Sequence, residues 1–292
     1  MPEPTYVIGH VNPDTDSIAS AMGYAWLLRE RDGVETIASR AGPTNPQTTW
    51  ILKLLGLDAP YLLTDASPRF EAVTRRLDTT SPDSPLGDAW AIASRTGGVA
   101  PVVNPDGTPH GLVTGYSLFD FLGKLIGTHK HRQEMRISEI LDLSCREASD
   151  TEAPLFQAGM RIRDVVNRIL REEHNDFIVV DDKGLYVGVT RQRDVLNPPR
   201  LRVILVDHNE PGQALGALDE AELVEILDHH RLGNRSTHVP IRFTVDIVGS
   251  TSTLVSERIE DFPKCLFRHV PSIPSLSRDL GNHLVEQSVE IV

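Results

Sequence analysis

The stretch Tyr6-Val-Ile-Gly-His-Val-Asn-Pro-Asp-Thr-Asp-Ser17 joins a β-type apolar run to a helix and sets one imidazole and two carboxylates on the join. Tyr6 to Ile8 is short and apolar, and Asn12-Pro13 signals a turn. From Ser17 the residues Ile18, Ala21, Met22, Ala25 and Trp26 recur at helical spacing. His10, Asp14 and Asp16 therefore fall on a strand-to-helix loop. In an open α/β sheet such loops lie at the carboxyl ends of the strands, where ligands bind. Imidazole nitrogen mixed with carboxylate oxygen suits Mn, Fe, Co or Zn better than Ca or Mg alone. The alternative is an Asx-rich turn that only caps the helix.

Working outward, the strand–helix alternation continues. Glu35 to Ala38 suits a second strand. Asn45-Pro46 caps a helix with Ile51, Leu52, Leu54 and Leu55 as its apolar side and Gly56 at its end, and Tyr61 to Leu63 suits a third strand. From residue 67 to 197 the character changes to two copies of one pattern. Each copy has a helix, an apolar run, a turn with Asp and Gly, a second run ending in Thr, and a short helix. The first comprises Gly87 to Arg95, Val99 to Val103, Asp106-Gly107 and Gly111 to Thr114. The second comprises Ile162 to Glu172, Phe177 to Val180, Asp182-Lys-Gly184 and Val187 to Thr190. The copies occupy about 67–128 and 143–197, with Lys130 to Asp142 as a polar helical link.

After Asn197-Pro198-Pro199 the α/β pattern resumes over 198–261. Leu201 to Val206 is a continuous apolar run, as in a strand buried on both faces, and it ends in Asp207-His208-Asn209-Glu210. Leu218 to Glu222 reads as helical, and Val224 to Leu227 runs into Asp228-His229-His230-Arg231. Two strands thus deliver Asp and His to the edge that carries the first motif. Val248-Gly-Ser-Thr-Ser-Thr253 opens a helix, either with free N–H groups facing a phosphate oxygen or simply as an N-cap. Residues 262–292 read as neither strand nor amphipathic helix.

Composition narrows the function. The chain has 292 residues, room for about two domains. Its 40% hydrophobic and 24% charged content is that of a soluble globular protein. No run approaches the roughly 18 apolar residues of a membrane span, and the first residues do not form a signal peptide. A cytoplasmic protein with no membrane partner is expected. Cys145 and Cys265 form no metal or redox motif, which fits a reducing compartment. With 29 Lys and Arg against 41 Asp and Glu, the net charge of −12 suits no nucleic-acid partner. A dense anionic substrate would need metal ions or a local basic patch to hold it.

These motifs resemble known families. The duplicated segment resembles a tandem CBS-domain module, which binds adenine nucleotides (AMP, ADP or ATP) between its repeats, with the ribose held by a Thr and an Asp four residues later. Thr190 and Asp194 match that spacing. Thr114 is followed by Leu118 instead, so one complete ribose site is implied. Gly9-His-x-x-Pro-Asp-x-Asp-Ser17, Leu205-Val-Asp-His-Asn-Glu210 and Leu227-Asp-His-His230 resemble the DHH phosphoesterase superfamily. Within it they resemble the manganese-dependent (family II) inorganic pyrophosphatases that carry inserted CBS domains.

The resemblance implies an α/β fold, a parallel-sheet DHH domain (1–66 and 198–261) interrupted by the CBS pair, and usually a homodimer. It implies two Mn2+ or Co2+ ions, with Mg2+ accompanying the substrate. His10 and Asp14 would bind the first ion and Asp16 and His229 the second, with Asp207 bridging and His230 contacting the phosphate. The implied reaction is hydrolysis of pyrophosphate to two phosphates under adenine-nucleotide control. A further Asp ligand and a C-terminal domain are expected of that family and are not recognisable in 262–292, where only Asp279 or His283 offers a donor. A truncated chain with weakened hydrolysis is therefore the expectation. Two other readings are a DHH phosphodiesterase acting on oligonucleotides or cyclic dinucleotides, and an inactive adenine-nucleotide sensor.

Overall fold

A computed structural model describes residues 4–127, 135–233, 237 and 239–262. The chain divides into two units, the first running to Ser67 and resuming at Arg200, the second spanning Pro68–Pro199. In chain order the strands are β1 (Thr5–Ile8), β2 (Thr36–Arg40) and β3 (Tyr61–Leu62) in the first unit, and β4 (Val99–Val103), β5 (Pro109–Thr114), β6 (Leu155–Gln157), β7 (Asp176–Val180) and β8 (Tyr186–Arg191) in the second. Then β9 (Arg202–Val206), β10 (Glu222–Asp228) and β11 (Arg242–Val245) return to the first.

The first unit is built on one six-stranded sheet in the order β11-β10-β9-β1-β2-β3, with every pairing parallel. With the second unit left out of the count this is the doubly wound order. The winding reverses between β1 and β9, so a crevice opens at the carboxyl ends of those two strands. Alternation along β1 sends its side chains to opposite faces. Val7 packs with Ala21, Tyr24, Leu254 and Val255 beneath helices Thr15–Asp32 and Thr251–Glu260, whereas Ile8 packs with Ala41, Leu205, Leu215 and Leu218. Because β9 lies between covered faces, Val203 to Val206 are all buried, which explains its unbroken apolar text.

Local signals place the helix ends. Asp14 is the N-cap of Thr15–Asp32, accepting from Ser17 N at 2.9 Å, and Gly33 ends that helix. Asn45 caps Pro46–Leu54 in the same way, through Thr48 N at 2.8 Å. The apolar side expected of this second helix is buried only in part, with Ile51 and Leu55 half-buried. Only Thr48 and Leu52, one turn apart, reach the interior, and Leu54 is 65% exposed. The helical reading of Leu218 to Glu222 also shortens to one 3-10 turn, Leu218–Glu220, because pairing with β9 draws Glu222 into β10.

A buried polar knot holds this unit together. The Tyr24 hydroxyl donates to Glu225 Oε2 at 2.9 Å, and Arg258 Nη1 donates to Glu225 Oε1 at 3.1 Å and to the Tyr24 hydroxyl. Arg258 Nη2 reaches Thr244 Oγ1 at 2.8 Å, so the knot ties both helices to β10 and β11.

The second unit repeats itself. β4 and β5 form an antiparallel pair, as do β7 and β8, with β6 added parallel to β7. The turns in both pairs use a glycine with positive φ, Gly107 at +87° and Gly184 at +79°. Both ladders also slip at equivalent places, between Val102 and Val103 and between Val179 and Val180. The duplication thus extends to the irregularities. Val99 and Leu112 of one copy share a core with Ile178, Val180 and Val189 of the other, so the copies cover each other's apolar faces. Of the polar link, Ile137–Leu141 is helical and residues 128–134 lie outside the described residues. The segment after residue 262, with Asp279 and His283, also lies outside them.

Candidate metal centre

The site begins with a close approach. A Cβ on Gly9 would stand 1.7 Å from Ser17 Oγ and 3.0 Å from Ser17 Cβ, so the first turn of helix Thr15–Asp32 sits directly on the end of β1. Gly9→Ala is expected to cost about 1–3 kcal/mol in thermal or urea unfolding through overpacking. Ser17 Oγ is buried without a hydrogen-bond partner, so Ser17→Ala should be close to neutral alone and should recover part of the Gly9→Ala loss.

At the end of β9, Asp207 is 2% exposed and takes a left-handed backbone, φ +62°. Its two oxygens face two ways. Oδ2 lies 3.4 Å from His10 Nε2, and Oδ1 lies 3.5 Å from His229 Nε2. Asp14 Oδ1 is 3.8 Å from the same nitrogen of His10, and Asp16 Oδ2 is 3.8 Å from the same nitrogen of His229. His229 Nδ1 donates to the Val248 carbonyl at 3.1 Å, which leaves Nε2 as the ligating nitrogen. Among the described residues two donor groups, His10–Asp14–Asp207 and Asp207–His229–His230, each have atoms within 4.8 Å of one another. Donors bonded at about 2.1 Å to one ion stand about 3.0–3.4 Å apart. The measured spacings match with small inward shifts, and the mixed N and O set suits a transition metal. Each of these two groups could hold a metal ion, and both include Asp207.

A family model described as the DHH family, N-terminal domain, matches residues 4–274. The chain belongs to the DHH family. A probable manganese-dependent inorganic pyrophosphatase of Thermotoga maritima is 26% identical to this DHH chain, over 87% of the chain and 65% of the relative. A cobalt-dependent inorganic pyrophosphatase of Clostridium perfringens is 23% identical, over 88% and 66%. The chain thus spans about two thirds of the length of these curated relatives. Among solved structures, the CBS-pair protein CBSX2 of Arabidopsis thaliana is 18% identical over 44% of this chain and 92% of that one, with a TM-score of 0.35.

The DHH site is electrostatically coupled. Burial, aided by the charge of Asp207, raises the Asp16 carboxyl to about 6. A hydrogen bond to Asp207 pushes His229 up to about 9. Burial opposes a charge on His10, but the hydrogen bond and charge of Asp207 outweigh it and raise His10 too. Burial likewise opposes ionisation of Asp207, and hydrogen bonds from His10 and His229 overcome it, holding the group below the ordinary carboxylate range.

The turn before helix Thr251–Glu260 does not offer its N–H groups to a phosphate. Thr251 N and Ser252 N donate to Asp16 at 2.8 and 2.7 Å, and Ser250 is the N-cap. The Thr251 hydroxyl meets Asp207 Oδ1 at 3.2 Å. These contacts join positions 16 and 251, and no local pattern announces them. Asp228 and Asn209 also belong to the DHH site, although the motif text assigns them no task. Asp228 is fully buried and accepts from His229 N, His230 N and His230 Nδ1, while Asn209 Nδ2 donates to its other oxygen.

In the second unit, Thr190 is buried and its hydroxyl donates to the Val73 carbonyl at 3.1 Å, while Asp194 lies 3.4 Å from Arg193 Nε. A nearby cavity of about 290 Å³ is lined by Asn175, Asp176, Arg191, Gln192, Arg193 and Leu196, and by neither Thr190 nor Asp194. Thr114 is occupied as an N-cap, accepting from Ser117 N at 3.2 Å.

Proposed function

We propose that this DHH chain hydrolyses inorganic pyrophosphate to two phosphates with two divalent cations, Mn2+ or Co2+. The observation that carries the reading is Asp207, whose two oxygens face His10 and His229 separately. His10 and Asp14 would hold one cation, Asp16 and His229 the other, and Asp207 both. Bound there, the cations would neutralise phosphoanhydride charge and supply a strong oxygen nucleophile at neutral pH. The chain's own part is to hold the donors in place. Val248 orients His229, the helix N-terminus grips Asp16, and Thr251 steadies Asp207. The His230 ring is half exposed, with Nδ1 engaged by Asp228 and Nε2 left for a phosphate oxygen. A protein of net charge −12 can take such a substrate because the cations supply the positive charge. The manganese- and cobalt-dependent relatives support the choice of metal and substrate.

Protein stripped with chelator and reloaded with Mn2+ or Co2+ should release phosphate from pyrophosphate, and a rate equal to that of metal alone would overturn the reading. Preference for a linear or cyclic dinucleotide in the same assay would make it a phosphodiesterase.

The second unit is read as a CBS pair that places this hydrolysis under adenine-nucleotide control, supported by its duplicated strand–turn–strand pattern and by Thr190 and Asp194 in the second copy. Asp194→Ala should weaken AMP or ATP binding about tenfold, as loss of a charged hydrogen bond does, with metal content unchanged. Calorimetry showing unaltered nucleotide affinity would remove Asp194 from the site.

A further inference from the structure

Asp228 sits at the end of β10, directly before the two histidines, and is fully buried. A buried carboxylate needs partners for its oxygens, and this one has them all from the site itself. Oδ1 accepts from His229 N at 2.8 Å, from His230 N at 3.2 Å and from His230 Nδ1 at 2.8 Å. Asn209 Nδ2 donates to Oδ2 and also to the Arg231 carbonyl at 3.0 Å, and Asn209 Oδ1 accepts from Gly233 N. Asn209 follows Asp207 by two positions, so the bridge from Asn209 to Asp228 ties the loop after β9 to the loop after β10. A carboxylate oxygen is the acceptor in this contact, so His230 carries a proton on Nδ1, and in the neutral ring Nε2 is then the acceptor. His230 Nδ1 also lies 3.9 Å from Asp207 Oδ1, close enough to suggest a third ligand for the second cation. The hydrogen bond to Asp228 takes that nitrogen out of use as a metal donor.

We propose that Asp228, braced by Asn209, is a positioning residue. It fixes His230 as the Nδ1–H tautomer, keeps that ring out of the metal ligand set and leaves Nε2 to accept from a proton-bearing oxygen of the substrate. The inference rests on the metal-dependent hydrolase reading for its consequence and on the geometry alone for the tautomer. It therefore separates two roles that lie within one dipeptide, a ligand at His229 and a substrate contact at His230.

The test uses the full chain and two substitutions. Asp228→Ala removes the acceptor, and kcat of the Mn2+-loaded protein should fall about 10–100-fold, the usual effect of losing a group that orients a site histidine. Bound metal should be unchanged by elemental analysis. In 15N-histidine NMR of the metal-free protein at alkaline pH, the His230 ring should shift from the Nδ1–H form toward Nε2–H. Asp228→Asn keeps an oxygen that can accept from Nδ1–H, so it should restore the tautomer and recover most of the kcat loss. Unchanged tautomer and kcat in Asp228→Ala, loss of bound metal, or an Asp228→Asn protein as impaired as Asp228→Ala would each overturn the proposal.

If Asp228→Ala does not fold, Asn209→Ala leaves Asp228 in place and withdraws one support. It should show the same tautomer shift at smaller amplitude, and a wild-type spectrum with wild-type kcat would count against the brace. A wild-type protein without pyrophosphatase activity would defeat the hydrolase reading, while the NMR result would still decide whether Asp228 sets the His230 tautomer.

Discussion

Exchanging Asp207 for Asn is expected to lower pyrophosphate turnover by about 10²–10³-fold, the scale on which a single preorganised electrostatic group is lost, and to leave at most one cation bound per chain. The reason is the way the carboxylate is shared. Oδ2 faces His10 and Oδ1 faces His229, with Thr251 on the same Oδ1. An amide has one acceptor oxygen and one donor NH2, so it cannot offer an oxygen to both sides. Asp14 is half exposed and, of the two histidines, lies beside His10 and not His229, so Asp14→Asn should weaken one cation and spare the other. Phosphate release together with elemental analysis of dialysed protein reads both outcomes. Two tightly held cations and wild-type turnover in Asp207→Asn would mean that the carboxylate does not join the two halves of the site.

The second large effect is on stability. Arg258→Met leaves Glu225, 6% exposed, with the Tyr24 hydroxyl as its one remaining side-chain hydrogen bond among the described residues. Removing one partner of a buried pair costs about 3 kcal/mol or more, and Arg258 is itself partly exposed, so about 3 kcal/mol is expected here, read as a lowered urea midpoint. Replacing both partners with apolar residues in Glu225→Leu/Arg258→Met should recover most of the loss, because no charge is left stranded. A double variant as unstable as the single one would show that packing, and not the pair, carries the energy. Burial also holds the Tyr24 hydroxyl up at about 12, so Tyr24 serves this knot as a neutral donor.

Much of the site could be read in the chain because its ingredients are local. A β-run, an Asn-Pro turn and an Asp that caps the next helix place His10, Asp14 and Asp16 on one loop, and the structure keeps His10 and Asp14 there while Asp16 falls in the first turn of the helix. Apolar runs that end in Asp-His place Asp207 and His229 at the same strand edge for the same reason. The duplicated segment was legible through its repeated turn glycines and terminal threonines. Short apolar runs misled where burial depends on neighbours, as with the exposed Leu54 and the early start of β10 at Glu222.

What the linear text of residues settled is the inventory: which donors exist, on which kind of loop, and that a parallel α/β domain is interrupted by a repeated insert. What required the folded chain is their arrangement. Periodicity identifies a strand without saying which strand lies beside it, and the site depends on β9 pairing with β1 and β10. Only that adjacency turns the oxygens of Asp207 toward two different histidines, brings Thr251 and Ser252 onto Asp16, and joins Tyr24 to Glu225 across 201 positions. The left-handed backbone at Asp207 belongs to the same class, since aspartate tolerates that region without requiring it and only the folded chain places it there.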